Sequence, residues 1–306
     1  MGRQINLANP LLVEYAQGIA KSTITPVGNF IAPTVNVAAS AGRFMVYSDK
    51  ARFRIPNTLR PSGGNAVRVT WDASASTYNC APNAVDVPLD FIELADSESV
   101  GDDALMEAAD MAAQIGTLAH ERDVITAALA AAGSGTGVDT SSADPVASID
   151  AGIDAVALAA AGGSITQIRL VFGATAWRTF KNCSAVRSRF TAAGSKAIPN
   201  IGLVDASKLF VGEPEIMVAR AATDSSAEGQ SASLAYLMPT AVLIFAASSN
   251  PNRRDPSFMK TFRLAGNWLG PRTYQTEDGR QIVAGFDWSH DVKVTNSGAI
   301  ARYNLT

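Results

Sequence analysis

The stretch from Gly101 to Ala132, GDDALMEAADMAAQIGTLAHERDVITAALAAA, constrains the fold more than any other part of the chain, because it reads as one unbroken helix. It contains no Pro and, after its first residue, only Gly116; Ala, Leu, Met, Glu and Gln fill most other positions, all strong helix formers. Asp102 and Asp103 supply an N-cap and a negative first turn, and Gly133 stands where a left-handed residue ends a helix. At about 1.5 Å per residue this is a rod of roughly 45 Å. Met111, Ile115, Leu118, Ile125 and Leu129 recur at three- and four-residue steps and are expected to pack on the body. Asp103, Glu107, Asp110, Gln114, Thr117 and Glu121 form a polar stripe, expected to be long, exposed and acidic.

A chain of 306 residues, 47% hydrophobic, has material for one large or two medium domains and excludes disorder over most of its length. It has no charge-free apolar run of about 18 residues, and its first residues lack a signal peptide's apolar centre, so a soluble chain without a membrane partner is expected. The formal charge of -3 excludes the basic excess of a dedicated nucleic-acid binder. Cys80 and Cys183 are too few for a disulfide framework or a structural zinc site and are expected reduced and buried.

Residues 1–38 mix Asn, Pro and Gly with scattered apolar residues and a short helical patch near Leu11 to Ala20, and read as an arm lying on something else. Residues 39–76 read as a long hairpin in which GRFMVYS and AVRVTW are strands and RIPNTLRPSGGN is the tip. Two-stranded ribbons are marginal alone, so this one packs on its own body or on another chain. The spine helix belongs to a unit of residues 77–143, closed by GSGTGVDTSSAD as a flexible linker. Residues 144–254 alternate strand and helix and read as a compact α+β domain, with Asp144 and Pro145 opening its first helix. The strand-rich residues 255–306 are expected to return to the long helix and complete its unit.

Catalytic motifs fail on inspection. His120-Glu121 starts like a zinc-protease motif, but Val124 occupies the second ligand's place, which leaves a solvated helix pair. Gly133, Gly135 and Gly137 lack the Lys and the preceding strand of a phosphate loop. Ser257 and Lys260 are spaced as S-x-x-K without its companion motifs. With two histidines in the chain, no catalytic, cofactor or metal site is expected. The four Trp are scattered as core and interface residues are, not clustered as a stacking platform.

Charge placement stands out instead. Arg43, Lys50, Arg52, Arg54, Arg60 and Arg68 oppose Asp49 alone, a net of five positive over the hairpin. From Asp86 to Asp123 eleven acidic residues, among them Glu93, Asp96, Glu98, Asp103, Glu107 and Asp110, oppose Arg122 alone. Two solvated faces are one reading; docking of the basic hairpin, with Trp71, on the acidic helix of a neighbour is the other.

The order of these parts resembles the major capsid proteins of tailed double-stranded DNA bacteriophages, the Hong Kong 97 type. The resemblance rests on FIAPTVNV from Phe30, GRFMVY from Gly42 with RIP at Arg54, and ELAD from Glu93 before the Ala-rich helix. It continues in IRLVFGATAW from Ile168 and PSFMKTF from Pro256, spanning nearly the whole chain. It implies an α+β fold with an N-terminal arm, an extended loop, a peripheral domain on a spine helix, and an axial domain. It further implies hexamers and pentamers of one chain forming an icosahedral shell around double-stranded DNA, held without sequence-specific binding. The implied locations are the host cytoplasm before assembly and the virion capsid after it. A chain that begins almost at once with its arm implies a separate scaffolding protein as partner, besides a portal and a decoration protein. Members that crosslink use a loop Lys, for which Lys50 is the candidate. The rivals are an encapsulin-like nanocompartment shell of the same fold and a cytosolic α+β enzyme.

Overall fold

The computed structural model describes residues 27–47, 55, 57–60, 62–68, 73–100, 103–161, 167–192, 200–227, 229–251, 255, 257–265 and 270–306. In chain order these form α1 (Gly28–Ile31), β1 (Thr34–Val37), β2 (Ala41–Tyr47), β3 (Ala73–Asn79), β4 (Ala81–Asp90), α2 (Phe91–Val100), the spine helix α3 (Ala104–Ala132) and β5 (Thr136–Val138). There follow α4 (Pro145–Ala161), β6 (Ile168–Gly173), α5 (Ala174–Asn182), α6 (Ser184–Ala192), α7 (Leu203–Ser207), β7 (Glu215–Ala219), β8 (Ala222–Asp224), β9 (Leu234–Tyr236) and β10 (Ala241–Ala246). The chain closes with β11 (Met259–Leu264), β12 (Gly270–Gln275), β13 (Gln281–Val294) and β14 (Ile300–Leu305).

The spine helix forms as its composition requires: Asp103 accepts from the Met106 amide at 3.1 Å, and Gly133 ends it at a φ of 68°. Its packing face is the expected one only toward the C-terminal end, where Ile125 is buried and Leu129 packs on the core. Ala108, Ala109, Ala112, Ala113 and Gly116 are buried, whereas Met111 is 56% and Ile115 39% exposed. The bulk in this contact comes from the sheet. A Cβ on Gly116 would stand 2.9 Å from the Phe286 ring and 3.4 Å from Trp288, so small residues let the helix lie close on β13. Glu121, expected on the exposed polar stripe, is buried at 0% exposure.

That sheet runs β1-β11-β13-β12, with β4 also on β13. The long β13 is shared: residues 281–290 pair with β4, 282–287 also with β12, and 290–294 with β11. β4 carries Pro82 and Pro88 at even spacing, which removes two donors from one edge of the ladder and blunts it against further pairing. Of the terminal strands expected to return to the spine, β11 to β13 do so. β14 also touches the spine but belongs to the second sheet, pairing antiparallel with β10 and parallel with β5.

The second sheet runs β5-β14-β10-β6-β7, with β6 and β10 almost wholly apolar and buried, as strands covered on both faces must be. Its core takes in Val146, Ile149 and Ile153 of α4, Phe180 of α5, and Val124, Ile125 and Ala128 from the end of the spine. The Gly- and Ser-rich segment after the spine, expected as a flexible linker, is therefore an edge of this sheet. The Arg302 side chain donates to the Gly133 carbonyl at 2.7 Å and that of Asn304 to the Ser134 carbonyl at 2.8 Å, and β5 pairs with β14, so its order comes from distant partners that a local residue pattern does not display.

Two further corrections concern the N-terminal third. Residues 27–37, read as the end of an arm, are built into the body: Val27, Phe30 and Ile31 enter the main core, and β1 pairs parallel with β11 from Thr34 opposite Thr261. The patch at Leu11 to Ala20 lies outside the described residues. In the hairpin, GRFMVY does form a strand, but it pairs with ASASTYN (residues 73–79), not with AVRVTW, of which residues 66–68 have no strand pairing. The hairpin's base is anchored in its own subunit by Phe44 and Tyr78, which pack on Phe262 at ring separations of 5.2 and 4.6 Å.

Candidate assembly surface

The residues that charge placement singled out fall on two parts of the molecule. Arg43 is exposed on β2, and Arg60 and Arg68 are exposed on the loop beyond it; Lys50, Arg52, Arg54 and Trp71 lie outside the described residues. Glu93 and Asp96 are exposed on α2, and Glu98 belongs to the same helix. Asp103 caps the spine, and Glu107 is exposed one turn further on. Asp110 is half-buried: one oxygen accepts from Gln114 at 3.0 Å, and the other is buried without a hydrogen-bond partner among the described residues. The helices α2 and α3 contact each other, so the acidic residues share one region. Within a single chain no ion pair between these acids and the loop arginines occurs among the described residues.

The sequence reading missed the apolar half of this surface. Glu107, Met111 and Ile115 follow at four-residue steps on the spine's outer face, and Ile92 is exposed on α2. On the loop, Ile55 is 90% and Leu59 85% exposed, and Val67 is also exposed. Single exposed apolar residues are ordinary. Here there are two exposed apolar sets, one on the loop beside arginines and one on a helix face beside acids. The available signal was the size of Met111 and Ile115 in a helix otherwise made of Ala; periodicity alone assigned them to the wrong side.

The motifs read as non-catalytic have structural explanations. Lys260 is buried, its Nζ 2.8 Å from the Asp255 carbonyl and 3.2 Å from that residue's carboxylate. Ser257 donates to Asp255 and accepts from the Ser248 amide at 2.9 Å, so the S-x-x-K pair ties a turn to β11. His120 and Glu121, read as a solvated pair, are instead packed against α1, because the chain before β1 crosses the spine there. Cys80 and Cys183 are free and buried, as expected. Among the described residues no group of His, Cys, Asp or Glu is placed to hold a metal, and no helix is long and apolar enough to cross a membrane.

No protein-family model matches the chain, and no curated protein matches it in sequence. Solved structures do. A phage-related protein from Bordetella bronchiseptica RB50 is similar over 98% of both chains, with a TM-score of 0.69 at 19% identity. The mature capsid of bacteriophage PhiM1 is similar over 91% of this chain and 86% of that one, TM-score 0.56 at 11% identity. The holo-SrpI encapsulin complex of Synechococcus elongatus PCC 7942 gives 0.53 at 12% identity, over 92% and 88% of the two chains. At such identities the likeness is one of fold, and it is the fold that the sequence resemblance implied.

Proposed function

We propose that this chain, which has the Hong Kong 97 type fold of phage capsid proteins, is the major coat protein of a tailed phage, assembling as hexamers and pentamers into an icosahedral shell around double-stranded DNA. The observation that carries this reading is the pair of exposed apolar sets, Ile55, Leu59 and Val67 on the loop and Met111, Ile115 and Ile92 on the helices, neither buried within the subunit. A loop that leaves its own body and a helix face that it does not cover make a heterologous contact, which generates rings and closed shells. Arg43, Arg60 and Arg68 beside the first set, and Glu93 and Glu107 beside the second, set register and approach rate; the apolar residues supply most of the affinity. Each exposed ion pair contributes only about 0 to 1 kcal/mol.

In this reading residues 39–76 are the extended loop, residues 77–143 with the strands β11 to β13 the peripheral domain, and residues 144–254 the axial domain, to whose sheet β5 and β14 belong. The role is structural, as it is for the shell proteins of similar fold. A scaffolding protein, a portal and a decoration protein are the partners, and DNA is enclosed without tight binding, since phosphate neutralisation needs clustered Lys and Arg and, in this reading, the loop's basic cluster is taken up by a neighbour's acids. The encapsulin likeness favours a second reading, a nanocompartment shell with a protein cargo. Purified particles separate the two: long double-stranded DNA inside supports the phage reading, and an enclosed enzyme without nucleic acid supports the other. A chain that sediments only as a monomer or small oligomer at high concentration, with its scaffolding partner present, contradicts both.

A further inference from the structure

Adjacent residues of the spine helix hold both ends of α1. At its start, the Gly28 amide donates to Glu121 Oε1 at 2.6 Å. At its end, the Thr261 hydroxyl donates to the Ala32 carbonyl at 3.2 Å, and His120 Nε2 lies 3.1 Å from that same hydroxyl oxygen. A hydroxyl has one proton, and here it is committed to Ala32; His120 Nε2 must therefore carry a hydrogen and donate, which leaves Nδ1 bare in the neutral ring. Bare Nδ1 and Glu121 Oε1 both flank Gly28, where a Cβ would stand 3.1 Å from the first and 2.9 Å from the second.

The His120 ring meets the ring of His290 edge to face, centroids 5.0 Å apart, and these are the only two histidines of the chain. His290 Nε2 lies 3.4 Å from Asp123 Oδ2, and His290 is almost fully buried. The charged groups that bear on the pair are Asp123 on the spine, Asp291 on β13 and Arg263 on β11, with Glu121 next to His120 in sequence. Residues 27–37, which form α1 and β1, contribute no titratable side chain.

We propose that the two histidines form an acid-sensitive clamp on the root of the N-terminal segment: neutral rings hold α1 on the spine helix, and a proton on either ring loosens it. A charge on His120 would sit between its histidine neighbour and Arg263, opposed by half-exposed Asp123 and, while it is ionised, by Glu121 across Gly28. Swinging the ring out to water withdraws the donor from Thr261 and opens a void under Gly28. Burial, together with the neighbouring ring, holds His120 down to about 4, and burial holds His290 below the usual imidazole range. Both folded values are depressed, so the clamp is complete above the unfolded value of 6.5 and is lost as pH falls toward about 4. Glu121 runs the opposite way: burial raises its carboxyl, which takes up a proton as pH falls. The substitution Glu121→Gln therefore isolates the histidine effect. Within a shell, the clamp lets acidity reset the N-terminal segment without any change on the surface; that consequence rests on the shell reading, and the clamp itself does not.

The test uses the full chain, assembled or not. Ring nitrogen resonances of the two histidines are titrated, and hydrogen-exchange protection of residues 28–33 is compared with that of α4 from about pH 7 to about pH 4.5, corrected for intrinsic rates. The expected result is that both rings titrate below 6.5, His120 near 4. Protection of residues 28–33 in Glu121→Gln should fall about tenfold or more relative to α4, and the added substitution His120→Gln, which keeps a neutral donor to Thr261, should abolish that fall. Rings that titrate at or above 6.5, protection that does not change with pH, or an equal fall with His120→Gln would overturn the proposal. If the His120→Gln chain does not fold, the ring titration of the unsubstituted chain still decides.

Discussion

Glu121 shows how one buried carboxylate organises its surroundings. Its Oε1 satisfies the Gly28 amide, and its Oε2 is buried with no hydrogen-bond partner among the described residues. Burial raises its pKa above the ordinary carboxylate value, and the Gly28 and Val27 amides oppose that rise. The group therefore contributes stability below its unfolded pKa, and that contribution is lost as pH climbs through the folded one. Glu121→Gln, which keeps an acceptor and removes the charge, is expected to match or exceed the unsubstituted chain in stability at neutral pH. Glu121→Ala should lose about 1–3 kcal/mol by orphaning a buried amide. Urea unfolding at neutral pH distinguishes the two substitutions. Phe262 is a second such residue, since Phe44 and Tyr78 both pack on it and anchor the hairpin base. Phe262→Ala should cost about 3–5 kcal/mol and, in hydrogen exchange, lower protection across β2 and β3 more than across α4. The pair of Lys260 and Asp255 behaves differently: Asp255→Ala strands a buried ammonium and should cost about 3–5 kcal/mol, read by the same unfolding measurement.

At the scale of elements, the spine helix and the most apolar strands were legible; β3, β4, β12 and the partnerships between strands were not. Asp103 and Gly133 bounded α3, and the apolar runs of β6 and β10 announced buried strands, because caps and hydrophobic runs are local signals. The packing face of α3 was read correctly at Ile125 and Leu129 and misread at Met111 and Ile115, since ranking faces by hydrophobicity ignores that Phe286 and Trp288 on the sheet demand Ala and Gly opposite them. The partner of β2 was misread for a related reason: ASASTYN alternates, but with residues too small and polar to register as a strand. Of the assembly surface, the charges were visible as sequence runs; Met111 and Ile115 were visible only as members of a stripe assigned to the wrong side. Replacing both by Ser is expected to leave subunit stability within about 0.5 kcal/mol, because both are exposed. The same change should raise the concentration needed for assembly about tenfold or more, through lost apolar burial of roughly 1.5–3 kcal/mol per side chain. Unfolding curves and a light-scattering titration check the two halves. Reversing Arg52 and Arg54 to Glu should slow assembly at low salt, and reversing Glu93 and Glu107 to Lys in the same chain should partly restore it. Screening over about 8 Å at physiological ionic strength should shrink both effects.

At the scale of the whole molecule, the described residues of the loop find little to bury in their own subunit. Ile55, Leu59 and Val67 are exposed on it, while its base is fixed by Phe44 and Tyr78. A rigid root with an uncovered reach is suited to grasping a neighbour, as the proposed shell requires. Electron microscopy of the full chain expressed with its scaffolding partner tests this most directly. The account predicts closed or tubular shells of hexamers and pentamers, with the loop of each subunit crossing the Met111 and Ile115 face of the next. Dispersed monomers or small closed oligomers under those conditions, or shells in which that helix face meets only solvent, would contradict it.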